Sequence, residues 1–285
     1  MLQRVLTAVV LIAILLPILI FSEAVPFLIP VMVTLMALMA IWEYFHCMGK
    51  DTDYLVTIPA YVVGAAIPFC TIWANAMWLR TYVAVAIGCA GVYLIYLYTV
   101  AVFRRGKMLF SEVSSAFTGV VYIAASFASL ALLRHNTAKG EYLYLLVFFG
   151  AWVTDTFAYF TGRFFGKHKL NPEISPKKTV EGSIGGMAFC ILSFVIFGLV
   201  MQFGYHLKVN YLMLCVAGLI CSFVSQIGDL ITSLIKREHG VKDFGRIFPG
   251  HGGVLDRFDS VLAISPILLF LCNLVRVSNS FGILL

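Results

Sequence analysis

Apolar segments long enough to cross a lipid bilayer recur along this chain. A bilayer's hydrocarbon core is about 30 Å thick, so a spanning helix needs about 20 mostly apolar residues. Among the 285 residues, 61% are hydrophobic and only 12% are charged, which differs strongly from the balance of water-soluble domains. The sequence therefore predicts an all-α, polytopic integral membrane protein. A secreted enzyme, a DNA-binding domain and a coiled coil are excluded.

Hydropathy predicts about nine transmembrane helices. The first is expected to be retained, because no small-residue cleavage site of a signal peptide follows it. We divide the chain into N-terminal helices over residues 1–140, about five spans, and a catalytic region over residues 141–285. The nine predicted spans cover residues 3–22, 25–43, 54–74, 81–103, 113–133, 142–161, 184–204, 211–233 and 260–277.

The distribution of charge predicts an orientation. With nine alternating spans, 15 of the 20 basic residues fall in one set of loops, and positive residues favour the cytoplasmic side. The N-terminus is therefore expected in the cytoplasm. Of the 14 acidic residues only Glu23 and Glu141 fall on the far side, which indicates chemistry at the cytoplasmic face. The two long cytoplasmic loops, 162–183 and 234–259, are the expected place for it.

Two carboxylates are predicted inside the membrane. A charged residue at the centre of a span costs about 2.5 to 3.5 kcal/mol on insertion scales, so it normally faces protein or water. Asp155 is either functional or a packing element satisfied by Tyr159 or Arg163, which share its helix face. Asp229 lies on a polar stripe along the eighth span, formed by Ser222, Ser225, Gln226, Asp229, Thr232, Ser233 and Lys236. Interhelical hydrogen bonding explains the serines, whereas Asp229 and Lys236 indicate a charged cavity.

The segment after this stripe is rich in glycine and charge. Asp256 and Asp259 are three residues apart at a helix start and so share a face, although stabilisation of the helix N-terminus explains Asp259 equally well. Carboxylates without His or Cys partners suit magnesium or a similar hard cation. Basic residues nearby suit phosphate; they are Lys236, Arg237, Lys242 and Arg257.

The other long loop has two possible functions. A basic loop beside a membrane commonly contacts anionic lipid or sets topology. Lys177, Lys178 and Thr179 precede a Gly-rich helix start, however, where free backbone amides can bind phosphate. The order of residues differs from a P-loop.

Specific motifs resemble those of the phosphatidate cytidylyltransferases (CDP-diacylglycerol synthases). The longest runs from residue 233 to 259 and reads S-x-I-K-R-x-x-x-x-K-D-x-G-x-x-F-P-x-H-G-G-V-x-D-R-F-D. Shorter matches are Asp155-x-x-Ala-Tyr-Phe-x-Gly162, Phe165-Gly-Lys-His-Lys-Leu170, Ile174-Ser-Pro-Lys-Lys-Thr-x-Glu-Gly182 and Gly228-Asp229. Before residue 150 the likeness is compositional, apart from Trp42-Glu43. At Phe244 the chain departs from the family, many of whose members carry a small hydroxyl residue there.

This resemblance implies a reaction of CTP with phosphatidate that yields CDP-diacylglycerol and diphosphate. It further implies Mg²⁺, with K⁺ as a candidate second cation, a homodimer without nucleic acid, and a bacterial cytoplasmic (inner) membrane with the site facing the cytoplasm. Asp229 and Asp256 would be the metal ligands. The expected catalytic residues are Asp229, Asp256, Lys236, Arg237, Lys242, Asp243, His251, Arg257 and Asp259. The expected substrate-binding residues are Asp155, Lys167, Lys169, Ser175, Lys177, Lys178, Thr179, Gly252 and Gly253.

Two other classes of membrane protein fit part of the pattern. A cation- or proton-coupled transporter also carries intramembrane acids, but here the charges crowd one face and no inverted repeat is evident. A CDP-alcohol phosphotransferase needs a dense array of aspartates, and only Asp256-x-x-Asp259 occurs.

Overall fold

A computed structural model describes residues 21, 25–50, 53–74, 79–104, 108–137, 139–248, 252–277 and 283. The described elements are helices apart from one small hairpin. The helices are α1 (Leu28–Cys47), α2 (Tyr54–Phe69, followed by a 3₁₀ turn Cys70–Trp73), α3 (Leu79–Phe103), α4 (Phe110–Asn136), α5 (Gly140–Leu143), α6 (Leu145–Phe165), α7 (Val180–Tyr205), α8 (Tyr211–Glu238) and α9 (Leu255–Val277). The strands are β1 (Lys169–Asn171) and β2 (Ser175–Thr179).

Seven described helical segments are long and apolar enough to cross a membrane. They correspond to seven of the nine predicted spans and confirm the polytopic all-α class. The first predicted span, 3–22, lies outside the described residues. The last, 260–277, lies within α9, which is not among the seven. The count of nine and the cytoplasmic N-terminus stay predictions.

Helix α8 shows how polar side chains are accommodated in such a fold. Its predicted polar stripe lies on the inner side, where Ser222, Ser225 and Gln226 are all buried. Large apolar side chains such as Phe223 and Ile227 are exposed instead. A helix whose polar face points into the protein and whose apolar face points outward is suited to a lipid environment, because polar groups away from water need partners within the protein.

The chain forms two compact units. The first contains residues 1–132 and 239–258, and the second contains residues 133–238 and 259–285. The segment 239–258 thus belongs with the N-terminal helices. The predicted division at residue 140 concerned where the chemistry lies and stays a prediction.

In the first unit, α1 packs against its neighbours through small residues. The Tyr44 ring covers Gly119 of α4, where a Cβ atom would lie 2.3 Å from ring carbons, and the Tyr44 hydroxyl donates to the Ser115 carbonyl oxygen at 2.9 Å. At the helix ends, Arg104 binds both carboxylate oxygens of Asp53, at 2.5 and 2.9 Å. These hydrogen bonds raise the pKa of Arg104, so the pair stays charged.

In the second unit, α7 packs closely against α6 and α8. Glycines line the α6-facing side of α7. A Cβ atom on Gly182 would lie 2.6 Å from the Ala158 carbonyl oxygen, and one on Gly186 would lie 2.9 Å from that of Thr154. The glycines after the basic segment, considered above as part of a phosphate loop, therefore allow the two helices to approach each other.

The segment between α6 and α7 differs from the predicted open loop 162–183. Helix α6 continues to Phe165, α7 already begins at Val180, and the antiparallel strands β1 and β2 pair between them. The predicted loop 234–259 is likewise shorter, because α8 runs to Glu238 and α9 begins at Leu255. Hydropathy underestimated these helices because their ends carry polar residues.

We expect Gly186→Ala to destabilise the second unit, because its added Cβ would press on a backbone carbonyl that cannot rotate away. Overpacking of this kind costs about 1 to 3 kcal/mol. The thermal midpoint of the detergent-solubilised protein should fall by several degrees. Gly204→Ala is the matched control on the same helix, since its added Cβ would meet no neighbouring part of the structure within 4 Å. Equal midpoints for the two variants would contradict the packing role.

Candidate active site

The second unit contains a cavity of about 330 Å³ beside the β-hairpin. Carboxylates, cations and backbone meet in it, which is unusual for the interior of an apolar helix bundle. Its walls come from α6, the hairpin, the start of α7 and the polar stripe of α8. The lining residues are Asp155, Ala158, Tyr159, Gly162, Arg163, Leu170, Ser175, Lys177, Lys178, Thr179, Gly182, Ser183, Gln226 and Asp229.

The hairpin is joined to α7 at its first turn. The Thr179 hydroxyl accepts a hydrogen bond from Gly182 N at 3.1 Å and so caps the helix. The Glu181 carboxylate accepts from the backbone N–H groups of Lys167 and His168, at 3.0 and 3.2 Å, and contacts the His168 ring at 2.6 Å. These bonds hold the residues before β1 and the end of β2 at the start of α7. Thr179, predicted to bind substrate, thus has a capping role, and contact with substrate stays a prediction for it.

An ion pair joins the hairpin to α8. The Lys178 ammonium contacts the Asp229 carboxylate, and each side chain is about three-quarters buried. Removing charges from water is costly unless they are paired. The pair therefore holds the predicted basic segment and the predicted polar stripe together at one place.

Three carboxylates lie close enough in the second unit to repel one another: Asp155, Asp229 and Asp259. Gly228 permits a close approach beside Asp229 and Asp259, because an added Cβ would lie 2.5 Å from Ala263 Cβ and 3.1 Å from the Asp259 carbonyl oxygen. Helix α8 can therefore lie directly against α9. The cations that offset this negative charge are Lys178 and Lys236, so the site is a concentrated set of mixed charges.

The partner of Asp155 differs from the two considered in the sequence. Arg163 donates instead to the Tyr159 hydroxyl at 3.1 Å. Ser260 of α9 donates to Asp155 Oδ2 at 3.3 Å. The interpretation of Asp155 as a residue satisfied by its own helix face is therefore wrong. Its exposed side chain lines the cavity.

In the first unit, Asp256 organises the turn that precedes α9. Its Oδ2 atom accepts hydrogen bonds from Phe244 N at 2.8 Å and Gly253 N at 3.0 Å. Gly252 has φ +82°, and a Cβ there would lie 2.9 Å from the same oxygen. One Asp256 oxygen is thus already engaged by the backbone, and Gly252 and Gly253 shape the turn around it.

The remaining predicted residues occupy several environments. In the second unit, Ser175 and Lys177 line the cavity, Lys236 is buried, and Arg237, Lys167 and Lys169 are exposed. In the first unit, Lys242 and Asp243 line a separate cavity of about 570 Å³, and Arg257 is exposed. His251 lies outside the described residues. Asp229 and Asp256 belong to different units, so their shared metal ion stays a prediction.

Some participating residues were missed as candidates from the sequence. Ser260 and Glu181 do not stand out in the sequence, because a serine within a span and an acidic residue in the first turn of a helix are both common. Glu43 sits in an apolar span far from the motifs, and its pairing with Trp42 in the resemblance was the only indication. Within the part of the chain that the structure describes, no three His, Cys, Asp or Glu side chains are grouped so as to hold a metal ion.

Comparison with known proteins decides the family. Residues 2–275 match the model of the cytidylyltransferase family. This chain belongs to the cytidylyltransferase family. A phosphatidate cytidylyltransferase of Staphylococcus haemolyticus is 34% identical over 271 residues, which cover 93% of this chain and 96% of the relative. Those of Staphylococcus saprophyticus and Staphylococcus aureus are 38% identical over 69% of this chain and 33% identical over 93% of it, covering 70% and 96% of those relatives.

Family membership makes the protein a nucleotidyltransferase. It also agrees with the resemblance of the motifs in residues 150–260, which lie in both compact units. The family supports neither the transporter nor the CDP-alcohol phosphotransferase alternative.

We expect the Lys178–Asp229 pair to be energetically coupled. Lys178→Met would leave Asp229 beside two other carboxylates and lower stability by about 1 to 2 kcal/mol, less than the 3 to 5 kcal/mol typical of a fully buried pair. Adding Asp229→Asn should cost less in that background than in the wild type, as a double-mutant cycle of thermal unfolding would show. Additive costs would mean that the pair does not stabilise the hairpin.

Proposed function

We propose that this chain catalyses the reaction of CTP with phosphatidate to give CDP-diacylglycerol and diphosphate. The observation that carries the proposal is the cavity in which Lys177 and Lys178 of the hairpin lie beside the carboxylates of Asp155 and Asp229. Supporting it are the cytidylyltransferase family and the names of its relatives. Phospholipid biosynthesis is the corresponding cellular process.

The chemistry explains why such a site needs mixed charge. An oxygen of the lipid phosphate forms a bond to the α-phosphorus of CTP, and the bond from that phosphorus to the bridging oxygen of the β-phosphate breaks. Diphosphate leaves with the electron pair. Both substrates are polyanions, so catalysis depends on charge neutralisation and in-line positioning. The attacking phosphate is already ionised and needs no strong general base.

The cavity residues would contribute to charge neutralisation in different ways. Lys177 is exposed into the cavity and is placed to hold a phosphate through charged hydrogen bonds. Lys178 is paired with Asp229, and it would balance the carboxylate until an incoming phosphate competes for it. Arg163 offers a further cation at the cavity wall. Arg257, in the first turn of α9, would balance charge on the leaving group, and His251 would donate to a phosphate.

Carboxylates are the donors that this site offers to a cation. Asp155, Asp229 and Asp259 repel one another, and a divalent cation would relieve that repulsion. Carboxylate oxygens without His or Cys are the ligands that Mg²⁺ prefers. We propose Asp229, with Asp256, as the residues that hold Mg²⁺, with K⁺ as a second cation. A bound cation would neutralise the triphosphate and stabilise charge on the leaving diphosphate.

The membrane setting follows from the same reaction. The protein is an integral membrane protein, which suits a lipid substrate. We propose that it lies in the bacterial inner membrane as a homodimer with the hairpin facing the cytoplasm, where CTP is available and where the positive charge predicts that face to lie. A single cysteine at Lys169, in a background without the seven native thiols, should react with an impermeant reagent only after the membrane is opened. Reaction in intact cells would reverse the orientation.

The proposed activity is tested with CTP radiolabelled on its α-phosphorus. Purified protein, phosphatidate and Mg²⁺ should yield a lipid-extractable radioactive product, whereas label on the γ-phosphorus should stay in water. Asp229→Asn and Asp256→Asn should each abolish this product while the protein remains folded and inserted. Near-normal turnover in both variants would contradict the metal assignment, and the absence of product from the wild type would contradict the function.

Lys177→Ala should lower kcat/KM for CTP by about a hundredfold, because a charged hydrogen bond is worth about 1.5 to 3 kcal/mol. Lys208→Ala is the matched control, since Lys208 is also exposed but does not line the cavity. The assay uses neutral detergent, in which attraction to anionic lipid plays no part. If Lys177→Ala has wild-type kinetics in neutral detergent and loses activity only on anionic membranes, the hairpin is a membrane contact.

A further inference from the structure

A carboxylate in an N-terminal span is fully buried in the first unit. Glu43 lies near the end of α1, and none of its surface is exposed. Its Oε1 atom accepts from Val254 N at 2.9 Å, and its Oε2 atom accepts from Leu255 N at 2.9 Å. A helix in the N-terminal half of the chain therefore holds the first residues of α9 more than 200 positions away.

The backbone around this carboxylate is shaped to receive it. A Cβ atom on Gly245 would lie 2.4 Å from Glu43 Oε1, and one on Gly253 would lie 2.2 Å from the same oxygen. Both residues must therefore be glycine for the carboxylate to sit where it does. The carboxylate thus reaches two separate segments of backbone, one at Gly245 and one at Gly253.

Ordinary packing does not account for this arrangement. Burying a carboxylate costs several kcal/mol unless it is well hydrogen-bonded, and an apolar residue in α1 would fill the same volume without that cost. What a carboxylate adds is two acceptors aimed at two consecutive N–H groups at a helix N-terminus, where negative charge is also favoured. This geometry fixes the direction in which α9 begins.

We infer that Glu43 is a positioning residue for the reaction, which holds the turn of residues 252–256 and with it the Asp256 carboxylate. The inference rests on the proposed function for its kinetic consequence only. Through Glu43, the N-terminal spans would contribute to the reaction by positioning Asp256. Asp256 uses one oxygen to bind Phe244 N and Gly253 N, so a shift of this turn moves Asp256 directly.

The test compares Glu43→Gln with wild type in the full-length protein. Glutamine has the same shape, but its NH₂ group cannot accept a bond and would face a backbone N–H. We expect kcat to fall about tenfold to a hundredfold, as for loss of a charged hydrogen bond, while KM for CTP stays within about threefold. Hydrogen exchange should accelerate in a fragment covering residues 253–256 and stay unchanged in α2.

Glu112→Gln is the control for loss of a carboxylate from the same unit. Glu112 pairs with Lys50 at 2.6 Å and accepts from Leu109 N at 2.9 Å, so the same chemical change is made away from the turn. Its kcat and its exchange over residues 253–256 should match wild type. If Glu43→Gln does not fold, Gly245→Ala displaces the carboxylate from the other side and should produce the same two effects.

Two results would overturn the inference. One is unchanged exchange over residues 253–256 in folded Glu43→Gln, and the other is accelerated exchange with wild-type kcat. The exchange measurement needs no turnover. If the wild-type protein forms no product, the proposed function is refuted. Hydrogen exchange still tests the contact of Glu43 with the turn.

Discussion

Charge inside an apolar protein must be paired, and the ion pair between Lys178 and Asp229 is the clearest case in this structure. It joins the hairpin to α8, a helix that is long and apolar enough to cross a membrane. The cavity walls, the capped start of α7 and the polar stripe of α8 meet around this pair. Because Asp155 and Asp259 add further negative charge nearby, the site is suited to cations and to phosphate rather than to an apolar ligand.

Sequence reasoning was most successful where one physical rule dominated. Apolar length identified seven spans that correspond to long apolar helices of the structure. The three- and four-residue spacing of Ser222, Ser225 and Gln226 correctly placed a polar face on α8. The hairpin was missed because three- and five-residue strands leave little periodic pattern. Glu43 was missed as a candidate because its partners are backbone amides of Val254 and Leu255, which no side-chain pattern reveals.

Glycine shows why the site itself was harder to predict than the fold. In the sequence, glycines after Lys178 were compatible with a phosphate-binding loop, yet Gly182 and Gly186 serve close packing of α7 on α6. Gly228 similarly brings α9 beside Asp229. Residue type alone does not distinguish contact with a ligand from contact with a helix. The motifs indicate segments of the chain, whereas the roles of individual residues depend on three-dimensional neighbours.

The central claim is that the cavity beside the hairpin binds the triphosphate of CTP. A photoreactive CTP analogue, cross-linked to the membrane-embedded protein and mapped by mass spectrometry, tests it most directly. We predict labelled residues on strand β2 and the first turn of α7, with labelling suppressed by excess CTP. Labelling that CTP suppresses and that excludes β2 and α7 would contradict the claim and place the nucleotide elsewhere.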